Sequence, residues 1–155
     1  MLKEIYIQTY YPMARAAGLK FNINPVVILA QCAIESGWAS SNLTKLGNNL
    51  FGICAYGSSN NNPYWTGDKI RLNEGGLSFR RYNNREDSFM DFGRLIQTGY
   101  PNAAGVSHHV SAYAQEIAYS RYISEVNGDN RMQYKKLIIQ IAASIQKILT
   151  LREAE

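Results

Sequence analysis

The chain has 155 residues, of which 46% are hydrophobic and 18% are charged, with a formal net charge of +4. This length fits one domain, which can bury about 70% of the surface of its unfolded chain. No apolar run approaches the roughly 20 residues of a membrane-spanning helix, and no Lys/Arg-rich run marks a nucleic-acid patch. The mild positive charge suits an acidic polymer such as cell wall or nucleic acid. Without such runs, however, we expect neither membrane insertion nor a nucleic-acid partner.

The first predicted helix covers residues 2–17 and ends at Gly18, with Pro12 expected to break or kink its middle. This N-terminal segment is amphipathic and carries Glu4, which is not typical of a secretory signal. If the protein acts outside the cytoplasm, either its export depends on something else or its leader has been lost from this sequence.

The second predicted helix is the most apolar part of the chain. Asn24 is its expected N-cap, Pro25 occupies its first position and Gly37 is its expected stop. Apolar residues surround it on nearly all sides, which indicates a helix that runs through the core. Glu35, near its end, is the first charged residue after Lys20.

A loop and a small β-hairpin occupy the middle of the chain. Gly, Ser, Asn and Pro dominate residues 55–68, which indicates a loop. The segments "KIRL" and "LSFRRY" flank the turn "NEGG", which predicts a β-hairpin.

Three helices are predicted after the hairpin. Ser88 and Asp91 have capping-box spacing at the start of the first, and the second includes Val106. The third begins near Gln133 and carries an apolar stripe. The sequence therefore predicts a single domain over residues 1–155 of the α+β class, predominantly α.

The cysteines and histidines give no sign of a metal or cofactor. Cys32 and Cys54 are too few for a disulfide scaffold or a zinc site, and we interpret them as small buried residues, with one bridge as the alternative. His108 and His109 are adjacent, so on a helix they point about 100° apart and cannot converge on one metal ion. We interpret them as solvated or capping residues.

Glu35 is the candidate for acid catalysis. Apolar surroundings disfavour the charged form of a carboxyl group and raise its pKa, and the partial negative charge at a helix C-terminus acts in the same direction. A glutamic acid that is protonated near neutral pH can donate its proton to a leaving oxygen, as glycoside hydrolysis requires. The alternative is a glutamate that caps the following turn or faces water.

The segment "AQCAIESGWASSNLTKLGNNLFGI" resembles the signature of bacterial and phage N-acetylglucosaminidase domains, glycoside hydrolase family 73. That signature is a helix ending in Ala-Gln-x-x-x-Glu-Ser-Gly, a polar turn and then Asn-Asn-x-Phe-Gly-Ile. The similarity continues through "YWTGDK", "FRRY" and "REDSFMDFGRLI" to "RYISEVNGDNRMQYKKLI", which resembles the family's Tyr-Ala-Thr-Asp segment and Tyr-Ala-x-x-Leu-Ile helix with a longer insert. The resemblance implies a lysozyme-like fold, with a helical lobe and a small β-hairpin lobe flanking a cleft.

The resemblance also implies roles for individual residues. Glu35 matches the family's general acid, and Tyr122 matches a tyrosine in its cleft. Three residues match the loop beneath the sugar site: Asn48, Asn49 and Phe51.

The second carboxylate is less clearly matched. Glu74 in the "NEGG" turn aligns best and Asp68 next, although Glu74 also fits an ordinary exposed turn residue. A second carboxylate could activate water across roughly 6.5–9.5 Å, which gives inversion, or act as a nucleophile at about 5–5.5 Å. In a third route the 2-acetamido group of the substrate attacks, and no second carboxylate is obligatory.

The implied substrate is the peptidoglycan glycan strand, cleaved after N-acetylglucosamine by a monomer that acts at the cell wall. Flat aromatic rings stack on sugars, and Tyr56, Tyr64 and Trp65 in the polar loop are candidate platforms. The alternatives are a lysozyme-type muramidase or lytic transglycosylase, and a non-catalytic wall-binding module. The export route could be that of a phage lysin, an injected effector or a module excised from a secreted protein.

Overall fold

The computed structural model describes residues 2–124 and 130–154. The elements within these residues are α1 (Lys3–Phe21), α2 (Pro25–Ser36), α3 (Asn42–Gly47), β1 (Lys69–Arg71), β2 (Ser78–Arg80), α4 (Arg85–Gly99), α5 (Pro101–Gly105), α6 (Val110–Ala118) and α7 (Arg131–Glu153). The predicted α+β class with predominant helix is confirmed. In the described part of the chain, no helix combines the length and apolar character that crossing a membrane would take.

Helix α2 forms the centre of the core, as its composition predicts. No residue from Val26 to Ala33 is more than 5% exposed, and α1 and α7 both pack against this helix. Its predicted ends are confirmed, because the side chain of Asn24 accepts a hydrogen bond from the backbone N–H of Val26 at 3.0 Å and Gly37 adopts φ 57°. The burial of α2 brings its last turn, with Glu35, to a defined place at the edge of the core.

Helix α1 is longer than the sequence predicts. It continues without a break through Pro12, which lies on an exposed side, and it ends at Phe21, after which Asn22 adopts the left-handed conformation. Gly18 lies inside the helix, so its assignment as the helix end is wrong. A Cβ atom there would lie 2.4 Å from the carbonyl oxygen of Ile23. The turn into α2 comes so close to the helix at this position that only glycine fits without a shift.

The β-hairpin is confirmed, and the starts of two later helices differ from prediction. Strands β1 and β2 pair antiparallel. Helix α4 is capped by Asn84, whose side chain accepts from the N–H of Asp87 at 2.8 Å, whereas Ser88 and Asp91 lie buried within the helix. Helix α6 begins at Val110 because the chain turns after α5, so the prediction of a helix including Val106 is wrong.

The cysteines and histidines are, by residue type, possible bridge or metal-binding residues. Cys32 is buried as predicted, whereas Cys54 is only half-buried; both are free, which rules out the alternative of a bridge between them. His108 and His109 are exposed. Within residues 2–124 and 130–154 no cluster of three or more metal-binding side chains occurs.

Candidate active site

A cleft of about 870 Å³ opens beside the C-terminal end of α2. Its walls come from four parts of the chain: the last turn of α2, the loop of residues 51–56 with β2, the end of α4 with residues 121–123, and the start of α7. Helical and hairpin parts of the fold therefore face each other across it.

Glu35 lines this cleft on the last turn of α2, with its side chain exposed. Its Oε1 accepts a hydrogen bond from the hydroxyl of Tyr134 at 2.9 Å. Its Oε2 is directed toward Gly52, where a Cβ atom would lie 3.6 Å away and where φ is +65°. Helices α2 and α7 and the loop after α3 thus meet at one carboxyl group.

A layer of tyrosines lies beside Glu35. The ring of Tyr122 is 5.6 Å from that of Tyr100 and 6.3 Å from that of Tyr134. Burial raises the pKa of Tyr122 and Tyr134 well above the usual value, and the nearby charge of Glu35 raises both further. These hydroxyls therefore stay protonated near neutral pH and can act there as hydrogen-bond donors.

Asn48 and Asn49 support the loop beneath the cleft and do not line it. Asn49 is 1% exposed; its Nδ2 donates to the carbonyls of Ile53 and Arg80 at 3.0 and 2.9 Å, and its Oδ1 accepts from two loop N–H groups. Asn48 adopts φ 53° as the C-cap of α3 and donates through Nδ2 to the backbone of the segment after β2. Their amide groups hold the loop that carries Gly52.

Phe51 and Tyr56 line the cleft from this loop. Phe51 is 2% exposed and stacks on Phe92 with 4.1 Å between ring centroids, so it forms part of the floor. Tyr56 is 70% exposed and is the accessible aromatic ring on this side. It is the better placed of the two to stack on a sugar.

Tyr64 and Trp65 do not line the cleft. Tyr64 packs edge-on against Phe21 with ring centroids 6.2 Å apart. Trp65 is 2% exposed; its Nε1–H donates to the carbonyl of Asp68 at 2.7 Å, and the guanidinium of Arg80 lies 4.2 Å from its ring centroid. Both rings stabilise the long loop from inside.

Arg80 lines the cleft and is held by a buried ion pair. Its Nη1 lies 2.8 Å from Oδ2 of Asp91, which is 1% exposed, and its Nη2 donates to the carbonyl of Tyr56 at 2.7 Å. Asp91 also accepts from the hydroxyl of Tyr82 at 2.5 Å and from Nδ2 of Asn62 at 3.0 Å. This cluster ties the hairpin and the long loop to α4.

The two candidates for the second carboxylate lie outside the cleft lining. Glu74 is exposed in the turn between β1 and β2. Asp68 is also exposed, 3.8 Å from the guanidinium of Arg81. Among the residues that the structure describes, Glu35 is the one carboxylate of the cleft lining.

Several cleft residues were not predicted as site residues, among them Tyr100, Arg121 and Tyr134. Tyr134 belongs to the apolar stripe of α7, which predicts only burial. Tyr100 directly precedes Pro101, and Arg121 precedes the predicted Tyr122, but neither position carries a local pattern of its own.

Comparisons with known proteins identify the family of this chain. The family model described as mannosyl-glycoprotein endo-beta-N-acetylglucosaminidase matches residues 11–147. Peptidoglycan hydrolase FlgJ of Pseudomonas aeruginosa is 28% identical over 157 residues, which cover 91% of this chain and 36% of that protein. The chain therefore spans about a third of the length of this curated relative.

Solved structures show the same fold. The glycoside hydrolase domain of Salmonella typhimurium FlgJ superposes with a TM-score of 0.68 at 23% identity, covering 99% of this chain and 97% of that one. A chain of a type VI secretion system effector–immunity complex from Pseudomonas protegens superposes with a TM-score of 0.66 at 16% identity, covering 92% and 93%. The predicted lysozyme-like fold is confirmed. Since the family match spans most of the sequence, the chain belongs to the glucosaminidase family of glycoside hydrolases.

Proposed function

We propose that this protein hydrolyses the glycan strand of peptidoglycan after N-acetylglucosamine, with Glu35 as the general acid. The observation that carries the proposal is the placement of Glu35 in a cleft between the helical and hairpin parts of a glucosaminidase-family fold. The relative from Pseudomonas aeruginosa is named a peptidoglycan hydrolase, which supports the choice of polymer.

In this proposal Glu35 protonates the glycosidic oxygen while positive charge develops on the sugar ring. The hydroxyl of Tyr122, which lines the same cleft, is a neutral donor to substrate oxygens. Arg121 also lines the cleft, and its positive charge complements the carboxylates of peptidoglycan stem peptides. Tyr56 supplies the exposed ring for sugar stacking.

Glu74 is our proposal for the group that activates water. It lies in the turn of the hairpin whose second strand brings Arg80 to the cleft, so the hairpin is the element from which a second carboxylate could approach the sugar. In the alternative route the acetamido group of the substrate attacks and Glu74 is dispensable.

The proposal is tested with Glu35→Gln on purified sacculi. Loss of the acid should lower kcat by about 10²–10⁴-fold, while the exposed Glu4→Gln variant should keep wild-type activity. Mass spectrometry of the wild-type digest should find N-acetylglucosamine at the new reducing ends. Unchanged lysis by Glu35→Gln would show that Glu35 is not the acid.

The same assay separates the other candidate functions. Reducing N-acetylmuramic acid would identify a muramidase, and its anhydro form would identify a lytic transglycosylase. A protein that sediments with sacculi but releases no fragments would be a wall-binding module.

The proposed place of action is the cell wall, in the periplasm or outside the cell. A phage lysin, an injected effector and an excised module of a secreted protein are all compatible with the fold. We propose that the domain acts as a monomer, which size-exclusion chromatography with light scattering would test.

A further inference from the structure

A series of hydrogen bonds leads from the core to Glu35. The hydroxyl of Tyr113 donates to Oε1 of Gln31, Nε2 of Gln31 donates to the hydroxyl oxygen of Tyr134 at 3.4 Å, and that hydroxyl donates to Oε1 of Glu35 at 2.9 Å. Tyr113 and Gln31 are both 0% exposed. Three helices, α6, α2 and α7, each contribute a member.

The chemistry of these groups gives the series one direction. An amide oxygen only accepts hydrogen bonds and an amide nitrogen only donates them. Because Tyr113 donates to the oxygen of Gln31, the nitrogen of that amide is turned toward Tyr134. The hydroxyl oxygen of Tyr134 then receives a hydrogen bond, and its own hydrogen is directed to Glu35.

The two oxygens of Glu35 are therefore not equivalent. Oε1 is engaged by Tyr134 on the side of α7, whereas Oε2 is directed toward Gly52 in the loop that lines the cleft. A carboxylic acid donates its proton from one oxygen, while the other can still accept a hydrogen bond.

We propose that Tyr134 is a positioning residue that engages Oε1 of Glu35 and thereby assigns Oε2 as the oxygen that carries the transferable proton. The inference rests on the proposed function of Glu35 as general acid. Gln31, one helical turn before Glu35, holds Tyr134 in this orientation. Fixing the acid in a productive geometry affects the chemical step more than substrate binding.

Other titratable groups also face Glu35 or line the same cleft. They are Cys32 on α2, Cys54 and Tyr56 in the loop, Arg80 on β2, Tyr100 after α4, Tyr113 on α6, and Arg121 and Tyr122 after α6. These groups are the same in wild type and in a Tyr134→Phe variant, so a difference between the two reports the hydroxyl of Tyr134.

The experiment compares Tyr134→Phe with wild type and with Tyr119→Phe, a control on a ring that is 53% exposed. The first measurement is a ¹³C NMR titration of the Glu35 carboxyl group without substrate. A donor to the carboxylate favours its charged form, so Tyr134→Phe should move the titration midpoint to higher pH, and Tyr119→Phe should not move it.

The second measurement is the pH profile of kcat and KM on sacculi. Tyr134→Phe should lower kcat roughly tenfold and leave KM within about twofold of the wild-type value. The limb of the pH profile that reports Glu35 should move to higher pH, as the NMR midpoint does. An unchanged midpoint together with unchanged kcat would overturn the positioning role. A change confined to KM would also overturn it.

Two further results distinguish a failure of this inference from a failure of the proposed function and from misfolding of the variant. If wild-type protein hydrolyses no sacculi, the proposed function fails, while the NMR midpoint still tests the hydrogen bond to Glu35. If Tyr134→Phe loses its folded circular dichroism spectrum, Gln31→Met is measured instead. It removes the donor to Tyr134 and should move the Glu35 midpoint in the same direction by a smaller amount; no movement would overturn the inference.

Discussion

Polar side chains around the cleft fall into two groups, which differ in how deeply they are buried. Asn49 and Asp91 are both 1% exposed, and each is satisfied by several hydrogen bonds to neighbouring segments. A buried carboxylate without such partners would be strongly destabilising. Glu35, by contrast, is exposed, and its Oε1 accepts a hydrogen bond from Tyr134. Asn49 and Asp91 hold neighbouring segments of the chain together, whereas Glu35 lines the cleft.

The proposed water-activating role of Glu74 can be tested by a single substitution. If it activates water, Glu74→Gln should lower kcat on sacculi by about 10²-fold with little change in KM, because the amide cannot accept a proton. The side chain is exposed, so the free energy of unfolding should stay within about 0.5 kcal/mol of wild type. Steady-state kinetics and urea unfolding measure the two quantities.

Asp68→Asn is the matched control for Glu74→Gln, since Asp68 is an exposed acid of the same region. Full activity of Glu74→Gln with lost activity of Asp68→Asn would transfer the water-activating role to Asp68. Full activity of both variants would favour the acetamido route.

The turn between α1 and α2 shows how a single backbone contact joins two elements. The N–H of Ile23 donates to the carbonyl of Gly18 at 3.0 Å, and Asn22 adopts φ 55° between them. This tight connection places α1 directly against α2. The position of α2, and with it Glu35, depends on this close approach.

Gly18→Ala tests this contact. Alanine in place of glycine within a helix usually stabilises by about 1 kcal/mol. Here the new Cβ would meet the carbonyl oxygen of Ile23 at 2.4 Å, so we expect the opposite sign, a loss of about 1–3 kcal/mol in the free energy of unfolding. Urea unfolding monitored by circular dichroism measures it.

Gly105→Ala in α5 is the control, because a Cβ there has no heavy atom within 4 Å. It should leave stability unchanged or raise it slightly. Equal effects of the two substitutions would show that the contact at Ile23 does not explain Gly18.

The elements could be predicted where their signals are local. Asn24, Pro25 and Gly37 mark both ends of α2, and "NEGG" marks the hairpin turn. The first residue of α4 could not be predicted from such local signals, because Asn84 and Ser88 are both good N-caps by residue type. Packing decided between them, since the first turn of α4 contributes a buried Ser88 to the core.

At the scale of the whole molecule, the core and the adjoining wall of the cleft hold several ionisable side chains, four tyrosine hydroxyls and one thiol among them. Burial raises the pKa of the Cys32 thiol to about 12, and it also raises the pKa of Tyr6, Tyr113, Tyr122 and Tyr134. The folded protein therefore keeps protons at alkaline pH that the unfolded chain releases.

We expect the free energy of unfolding to decrease as the pH rises above about 9, the ordinary value for Cys32. Below that pH both states are protonated, while between 9 and 12 the unfolded state binds fewer protons, so the slope is negative. Cys32 alone contributes up to about 1.4 kcal/mol per pH unit in this window, and the tyrosines add to it from about pH 10. Urea unfolding at a series of pH values from 8 to 11 measures the slope.

Cys32→Ala should make this decrease less steep between pH 9 and 10, whereas Cys54→Ala, at a half-buried thiol, should change it less. A stability that is flat from pH 8 to 11 would contradict burial as the cause.

By itself the sequence determined the mostly helical class, the buried course of α2, the hairpin and the position of Glu35 at the end of α2, because each depends on local periodicity and capping. Only the tertiary structure decided which polar and aromatic side chains reach the cleft. Tyr134 lies 99 residues from the Glu35 that it contacts, and Trp65 is covered by Arg80 from the neighbouring hairpin. Such contacts depend on how helices and loops pack together, and no local pattern of residues specifies that packing.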